Sequence, residues 1–338
     1  TNHVSNAVTV PLNFKADLIW VKSISIAYSH RLQDSVQGYN KYMNSNGTGV
    51  SRDVDSTFTA NNISTTGFDF NGTYNTDTQS ATMCAWCWKA GGQPDLTSSP
   101  TKPFAKDNVQ YTDTTANKVT VFGNASNYTI TPTSASIGTK QGFSIVKYTG
   151  NGTAGATVPH GLGKAPDFII LKNLESDIYQ WEIQHKDISL VGAGIHLNNT
   201  TGYNSGASDR WDYDNQGESA RANINVVTLS SNGAVNDNNI DYIMYSFASI
   251  PGFSAFGTYE GNAAGPNGPY IHCGFRVAWL MIKNIDSTGP SWDIYDNTRE
   301  PFNDGSFANL SANSSGTEGS RAIDFLSNGF KIRETNSW

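Results

Sequence analysis

The sequence predicts an all-β protein made of tandem jelly-roll or concanavalin-like antiparallel β-sandwiches, and three observations carry that prediction. Short apolar alternations bounded by Gly, Asn, Asp and Pro recur along the whole chain. No window places apolar residues at i, i+3 and i+4 over three turns, so long amphipathic helices are not expected. A long stretch, Gly142–Lys172, returns as Gly252–Lys283, and part of it is present upstream as Ala16–Lys22. The composition agrees. The 338 residues include 32 Gly, 15 Tyr and 16 Phe but only 15% charged residues, the usage of a fold rich in turns and aromatic strand positions.

Taken in order, residues 1–92 form a first unit. Its Leu18-Ile-Trp-Val-Lys22 run is followed by Tyr28-Ser-His30, a Gly-marked strand Gly67-Phe-Asp-Phe70 and a closing aromatic strand Met83–Trp88. Residues 93–141 are rich in Thr, Ser, Asn and Pro and read as a connector with short strands at Val119–Phe122 and Tyr128–Ile130. Residues 142–251 are a second unit. Phe143–Tyr148 alternates, Gly150-Asn151-Gly152 turns, and Phe168–Leu171 ends at Lys172, with Trp181 nine residues on. Ile195–Asn198 follows, then Asn232–Val235 as the Gly-marked strand and Tyr242–Phe247 as the closing one.

Residues 252–338 repeat the series as a third unit: Phe253 opens it, Lys283 is again nine residues before Trp292, and Asn309–Asn313 and Asn328–Ile332 follow. The series reaches Trp338 before a closing aromatic strand, which leaves that strand to a continuing polypeptide or to a partner chain. Phe143 and Phe253 are 110 residues apart and Lys172 and Lys283 are 111 apart, a domain-sized period rather than a short solenoid. One sheet per unit would leave an apolar face wet, so each unit is expected to close two sheets on each other.

Charge and cysteine content exclude several classes. A formal charge of −7 and the lack of any Lys/Arg run argue against a nucleic-acid partner. Cys84 and Cys87 read C-A-W-C, but on a strand they point to opposite faces and no second ligand pair exists, so they read as buried small side chains, as does Cys273. No apolar stretch is long enough for a membrane span. The start lacks both a signal pattern and a Met, as in a processed chain or one taken from inside a longer one. The many N-x-[ST] triplets, such as Asn46 and Asn151, are read as turn composition.

The strings GFSIVKYTGNGTAG, VPHGLGKAPDFIILKN and, later, Tyr259-Glu-Gly-Asn262 and GFRVAWLMIKN resemble the tandem-repeat structural proteins of marine tailed phages, the cyanophages especially. The resemblance covers Gly142–Trp338 well and Ala16–Gly92 more loosely. It implies a virion appendage protein: a fibre, a tail-associated part or a capsid-decorating module, on the particle surface. Its implied partners are other virion proteins, copies of itself and host-surface polysaccharide. In the third unit Cys273-Gly-Phe275-Arg stands where the family pattern has His-Gly-Leu-Gly-Lys-Ala-Pro, which argues that this loop carries no chemistry.

Candidate chemistry is sparse. His160-Gly161-Leu162 lacks a nucleophile elbow and reads as a turn with a hydrogen-bonded His, with His272 in the related place. Gly150–Thr153 and Gly261-Asn262 lack the Gly-Lys-Ser/Thr of a phosphate loop. Asp212, Asp214 and Glu218 are spaced like part of a Ca2+ loop, although no Glu closes it; Asn236–Asn239 and Asp241 form a second oxygen-rich turn. Glu182, Asp187, Asp209, Asp212 and Asp293 are available for glycoside cleavage, but Glu182 and Asp293 follow related tryptophans and read as positions on the surface of the repeat. Tyr203, Trp211 and Tyr213, among Asn, Ser and Gly, suit a sugar ring: flat faces beside hydroxyl partners. Trp20, Trp86, Trp181, Trp279 and Trp292 belong to the core. The resulting expectation is a non-enzymatic virion structural protein, without a cofactor apart from the Ca2+ candidate, assembling as a homo-oligomer and as a trimer if fibre-like. The alternatives are a carbohydrate-binding adhesin and a polysaccharide-degrading enzyme.

Overall fold

The computed structural model describes residues 8–54, 59–71, 81–188, 194–203, 210–211 and 221–335. The fold is all-β, with several antiparallel sheets.

The first unit holds β1 (Val8–Pro11), β2 (Leu18–Ser23), β3 (Arg31–Asp34), β4 (Lys41–Tyr42), β5 (Arg52–Asp53), β6 (Thr59–Ser64), β7 (Gly67–Asn71) and β8 (Met83–Trp88). They form sheets β3-β2-β8 and β1-β7-β6 and the hairpin β4-β5. The second unit holds β9 (Phe104–Lys106), β10 (Val109–Tyr111), α1 (Thr115–Phe122), β11 (Ser134–Gly138), β12 (Phe143–Thr149), β13 (Ala156–Pro159), β14 (Phe168–Asn173), β15 (Trp181–His185), β16 (Ile195–His196), β17 (Val226–Leu229) and β18 (Asp241–Phe247). Its large sheet runs β10-β9-β11-β12-β18-β14-β15-β16, opposed by β13-β17. The third unit holds β19 (Tyr270–His272), β20 (Trp279–Lys283), β21 (Trp292–Asp296), β22 (Phe307–Ser311), β23 (Gly319–Arg321), β24 (Ile323–Leu326) and β25 (Gly329–Ile332), in sheets β20-β21-β22-β23 and β19-β25-β24.

Strand registers align the units residue by residue. Val21 pairs with Arg31, Leu171 with Glu182 and Ile282 with Asp293, so β2, β14 and β20 correspond, as do β3, β15 and β21. Strands β8 and β18 take the other edge of β2 and β14. In each unit two sheets enclose an apolar cluster. Ile19 and Val21 with Phe68 fill the first, Ile169 and Leu171 with Val158 and Val227 the second, and Leu280 and Ile282 with Phe325 and Phe330 the third.

The alternate residues face the other way. Leu18 and Trp20, Phe168 and Ile170, and Trp279 and Met281 all enter one further cluster that joins the three units. This explains the near-continuous apolar runs such as Phe168–Leu171: the strand is covered on both faces, so neither set of alternate positions can be polar. The tryptophans are inward, as expected, but the cluster they fill lies between units rather than inside a sandwich.

Three local expectations are corrected. Val119–Phe122 ends helix α1 instead of forming a strand. Thr114 caps the helix by accepting the Asn117 N–H, and Gly123 ends it at φ 88°. Tyr128–Ile130 is not a strand, and the expected connector is joined to the second unit because β11 pairs along β12 and parallel to β9. Asn232–Val235 is a turn; the register places Val226–Leu229 opposite β13, as β7 lies opposite β1 and β25 opposite β19.

Candidate functional site

A concentration of buried polar chemistry lies where the three units meet. It begins with the residue that opens β15 and β21. Trp181 is fully buried and donates its indole N–H to the carbonyls of Asn44 (3.0 Å) and Gly47 (3.1 Å) in the first unit. Trp292 donates to the His196 carbonyl of the second unit at 2.8 Å. The register puts His30 at the matching place in the first unit. Its Nδ1 accepts the Trp20 indole N–H at 2.8 Å, so Nε2 carries the proton and donates to the Ser311 carbonyl of the third unit at 2.9 Å.

These bonds close a ring: second unit to first, third to second, first to third. The acceptors Asn44, His196 and Ser311 are themselves register equivalents, each one residue past the partner of Leu32, Ile183 or Ile294. Each ring residue is also oriented by an asparagine of its own unit. The backbone N–H groups of His30, Trp181 and Trp292 donate to the side-chain oxygens of Asn46, Asn198 and Asn313 at 3.0, 3.0 and 2.8 Å.

The strand-closing lysines stand beside the ring. Lys22 and Lys172 are buried, and each of the three ammonium groups donates to backbone carbonyls: Lys22 to Ser23, Lys172 to Tyr179, Lys283 to Asn284. Burial pulls all three down to about 8. Burial also pushes His30 down to about 3, so it is neutral at physiological pH. A neutral donor on a carbonyl needs no counter-charge, which suits a site between apolar sheets.

A second set of links runs through the closing strands. Tyr245 of β18 donates to the Asp34 carboxylate of the first unit at 2.8 Å, and Trp86 of β8 donates to the Asp296 carboxylate of the third at 3.0 Å. Tyr245 and Trp86 are register equivalents, as are Asp34 and Asp296.

The singled-out residues fall as follows. Trp211 is 1% exposed and donates its indole N–H to the Ile183 carbonyl, so it is part of the second unit's core and offers no face to a sugar. Tyr203 is half-buried against the central cluster. Tyr213, Asp209, Asp212, Asp214 and Glu218 lie outside the described residues. Among the described residues no group of three or more His, Cys, Asp or Glu is placed to hold a metal ion.

Glu182 and Asp293, expected at the surface of the repeat, are buried instead. Glu182 lies beside His196 (3.1 Å) and Arg210 (3.3 Å), and Asp293 accepts from Asn309 and Ser311. Polar letters in a strand covered on both faces resemble surface letters until their partners are known. Asn236 is also buried, its amide donating to the carbonyls of Thr153 and Ser230.

His160 is a buried turn residue that donates from Nε2 to the Asn223 carbonyl and accepts the Leu162 N–H. His272, expected to match it, is exposed. The difference comes from β11 and α1, which close over the His160 turn: a Cβ at Gly161 would fall 2.4 Å from Ile137. Cys84 and Cys87 face opposite clusters, and burial pushes both thiols up to about 12. Among the described residues no helix is long and apolar enough to cross a membrane.

The ring was only half visible in the sequence. The Lys-to-Trp spacing of nine marks Trp181 and Trp292, but Lys22 and His30 are eight apart and differ in residue type. The segments Ile195–Asn198 and Asn309–Asn313 marked two of the orienting asparagines, whereas Asn46, which follows Met43 by three residues, was read as turn composition.

No curated protein sequence and no solved structure matches the chain. One family model, Domain of unknown function (DUF7483), matches it twice, over residues 1–131 and 116–338. Those matches span the whole ring of units, and the chain belongs to the DUF7483 family.

Proposed function

We propose that this chain is a non-enzymatic structural protein of a tailed-phage virion, a fibre, tail-associated or capsid-decorating module that works through protein–protein assembly. The observation that carries the structural role is positional. His30, Trp181 and Trp292 stand at one register position in three units, and each joins its unit to the next through a backbone carbonyl. A role repeated three times on backbone acceptors supports architecture, because one catalytic centre needs its groups converging on one point. The virion assignment is supported by the sequence resemblance in Gly142–Trp338. In this reading each unit is a jelly-roll or concanavalin-like sandwich, and the particle surface is its location.

Antibody raised against the purified chain tests the reading. It should decorate intact phage particles in electron micrographs at regular positions. Label found only on host lysate, with bare particles, would overturn the virion assignment and leave the three-unit architecture untouched.

A further inference from the structure

We propose that the first unit binds one alkali-metal cation in a buried site made by the side-chain oxygens of Asp17, Gln33 and Ser35. The inference goes beyond the assembly role and does not depend on it.

The three residues share one face of the β2–β3 pair. Ile19 pairs with Gln33, and Ser35 donates its backbone N–H to the Asp17 carbonyl at 2.8 Å, so Asp17 stands opposite Ser35. Alternation turns all three toward the side of Ile19, which is the first unit's own cluster. Asp17 and Gln33 are 0% exposed and Ser35 is 3% exposed. Among the described residues Asp17 Oδ1, Gln33 Oε1 and Ser35 Oγ have no hydrogen-bond partner, a costly state for buried oxygens. The other carboxylate oxygen is satisfied: Asp17 Oδ2 accepts the N–H groups of Ala90 (2.7 Å) and Gly92 (3.2 Å). Turning the Gln33 amide does not help, because its Nε2 donates to the Tyr39 carbonyl at 2.5 Å, where an oxygen would meet an oxygen. Three acceptors therefore face a space with nothing to accept from.

The second unit shows what fills such a place. Asp167 stands where Asp17 does, and Lys186 where Ser35 does: the Lys186 N–H donates to the Asp167 carbonyl at 2.8 Å, as that of Ser35 does to Asp17. Asp167 Oδ2 again holds the chain after the closing strand, accepting the Ser249 N–H at 2.6 Å. The Oδ1 atoms differ. In Asp167 it faces the Lys186 ammonium at 3.7 Å, a cation for which the first unit has only a serine hydroxyl. Gln184, at the place of Gln33, spends its Oε1 on the Ala222 N–H at 3.2 Å. The third unit has Ala278 and Asn297 at the two places and so carries neither charge. Only the first unit keeps the carboxylate without a cationic side chain opposite it.

Neighbouring cations are engaged elsewhere. Lys89 acts on Asp17 through space, but its ammonium donates to Asn108 Oδ1 at 2.7 Å; Lys15 donates to Gln93, and the Arg31 guanidinium lies over the Tyr42 ring at 4.3 Å. Charge then sets the class of the occupant. One carboxylate balances one positive charge, whereas a divalent ion would leave a net charge inside an apolar cluster. The donors are a carboxylate, an amide and a hydroxyl, oxygens throughout, as hard cations require. The Tyr39 hydroxyl donates to the Ala16 carbonyl, and burial together with the nearby Asp17 carboxylate raises its pKa, so its lone pairs stand beside the same space. A proton is the competitor. Burial raises the Asp17 carboxyl above its ordinary value, while the Ala90 N–H and the Ser35 hydroxyl, close but outside hydrogen-bonding geometry, act against the rise.

Thermal unfolding of residues 1–338 at about pH 8 tests this, with choline chloride replaced stepwise by sodium or potassium chloride at constant ionic strength. Choline is too large for a buried site. The midpoint should rise by about 2–4 °C and saturate in at least one of the two alkali salts. Sodium NMR gives a second readout, in which the line should broaden on the intact chain. Ser35→Lys brings in the ammonium that the second unit has, and should unfold at one midpoint in all three salts without broadening the line. Asp17→Asn should lose both responses as well. Should one variant fail to fold, the intact chain and the other variant decide. Equal midpoints for the intact chain in sodium, potassium and choline would overturn the site, as would an alkali response that survives Asp17→Asn. An infrared carbonyl band of a protonated carboxylic acid at that pH, lost in Asp17→Asn, would give the place to a proton and overturn it too. A response to calcium chloride without one to sodium or potassium would overturn the monovalent assignment.

Discussion

The second and third units share a register but differ in closure. In the second, β14 lies between β15 and β18, and β12 continues the sheet on the far side. In the third, β20 pairs among the described residues with β21 alone, and the counterpart of β12 is not a strand. One strand therefore decides the state of two. A segment with strand periodicity forms a strand only where a neighbour takes its hydrogen bonds, because pairing rather than propensity supplies most of its stability. The carboxylate that ends the closing strand differs as well. Asp17 accepts the Ala90 N–H and Asp167 accepts the Ser249 N–H, whereas the third unit has Ala278 there.

The comparison can be broken most forcefully at the ring tryptophan. Trp181→Ala removes a fully buried indole and leaves two carbonyls short of a donor, and should cost about 3–5 kcal/mol in urea unfolding. Trp279→Ala, on the open edge and without a hydrogen bond, should cost about 1–2 kcal/mol, because part of its surface is already wet. Equal losses at the two positions would mean that the third unit is as closed as the second.

Next in size is the hairpin glycine common to the first and third units. A Cβ at Gly67 would fall 2.1 Å from the Val10 carbonyl oxygen, and one at Gly329 would fall 2.0 Å from that of Ile271. Gly329→Ala should therefore destabilise by about 2–3 kcal/mol in the same assay, and Gly67→Ala by at least as much, since its φ of 133° adds backbone strain.

The lysines sharpen the comparison through pH. Burial lowers the folded pKa of Lys172 to about 8 from the ordinary 10.5. Between those values the unfolded chain binds more protons than the folded one, so stability rises with pH across that window, and below it the penalty is constant. Lys172→Met should flatten the rise when unfolding is followed from pH 8 to 10. Above that range the buried tyrosines Tyr148 and Tyr245, whose pKa values are raised, oppose it, since their ionisation favours the unfolded chain. The smallest effect is expected at the surface. Lys41→Ala breaks a 2.7 Å pair with the exposed Asp53 and should change stability by about 0.5 kcal/mol or less.

Much of this architecture is legible in the residues themselves. The returning apolar-then-Lys and Trp segments mark β14, β15, β20 and β21 within a residue or two, and the opposite facing of Cys84 and Cys87 follows from strand alternation. Less was legible where two structures compete for the same letters. Val119-Thr-Val-Phe122 has strand-forming residues, yet the Thr114 cap and Gly123 stop make it the end of a helix. Trp211 has the company of a sugar-binding aromatic, yet its indole is tied to Ile183 inside the core.

By itself the sequence determined the period, the strand class and the alternation, because these depend on neighbours along the chain. It could not determine which side of each strand meets another unit, or that His30 and two tryptophans would close one ring. Those outcomes depend on carbonyls 96 to 281 residues away, at Asn44, His196 and Ser311, and a backbone carbonyl carries no letter. Only the tertiary fold brings them within hydrogen-bonding distance.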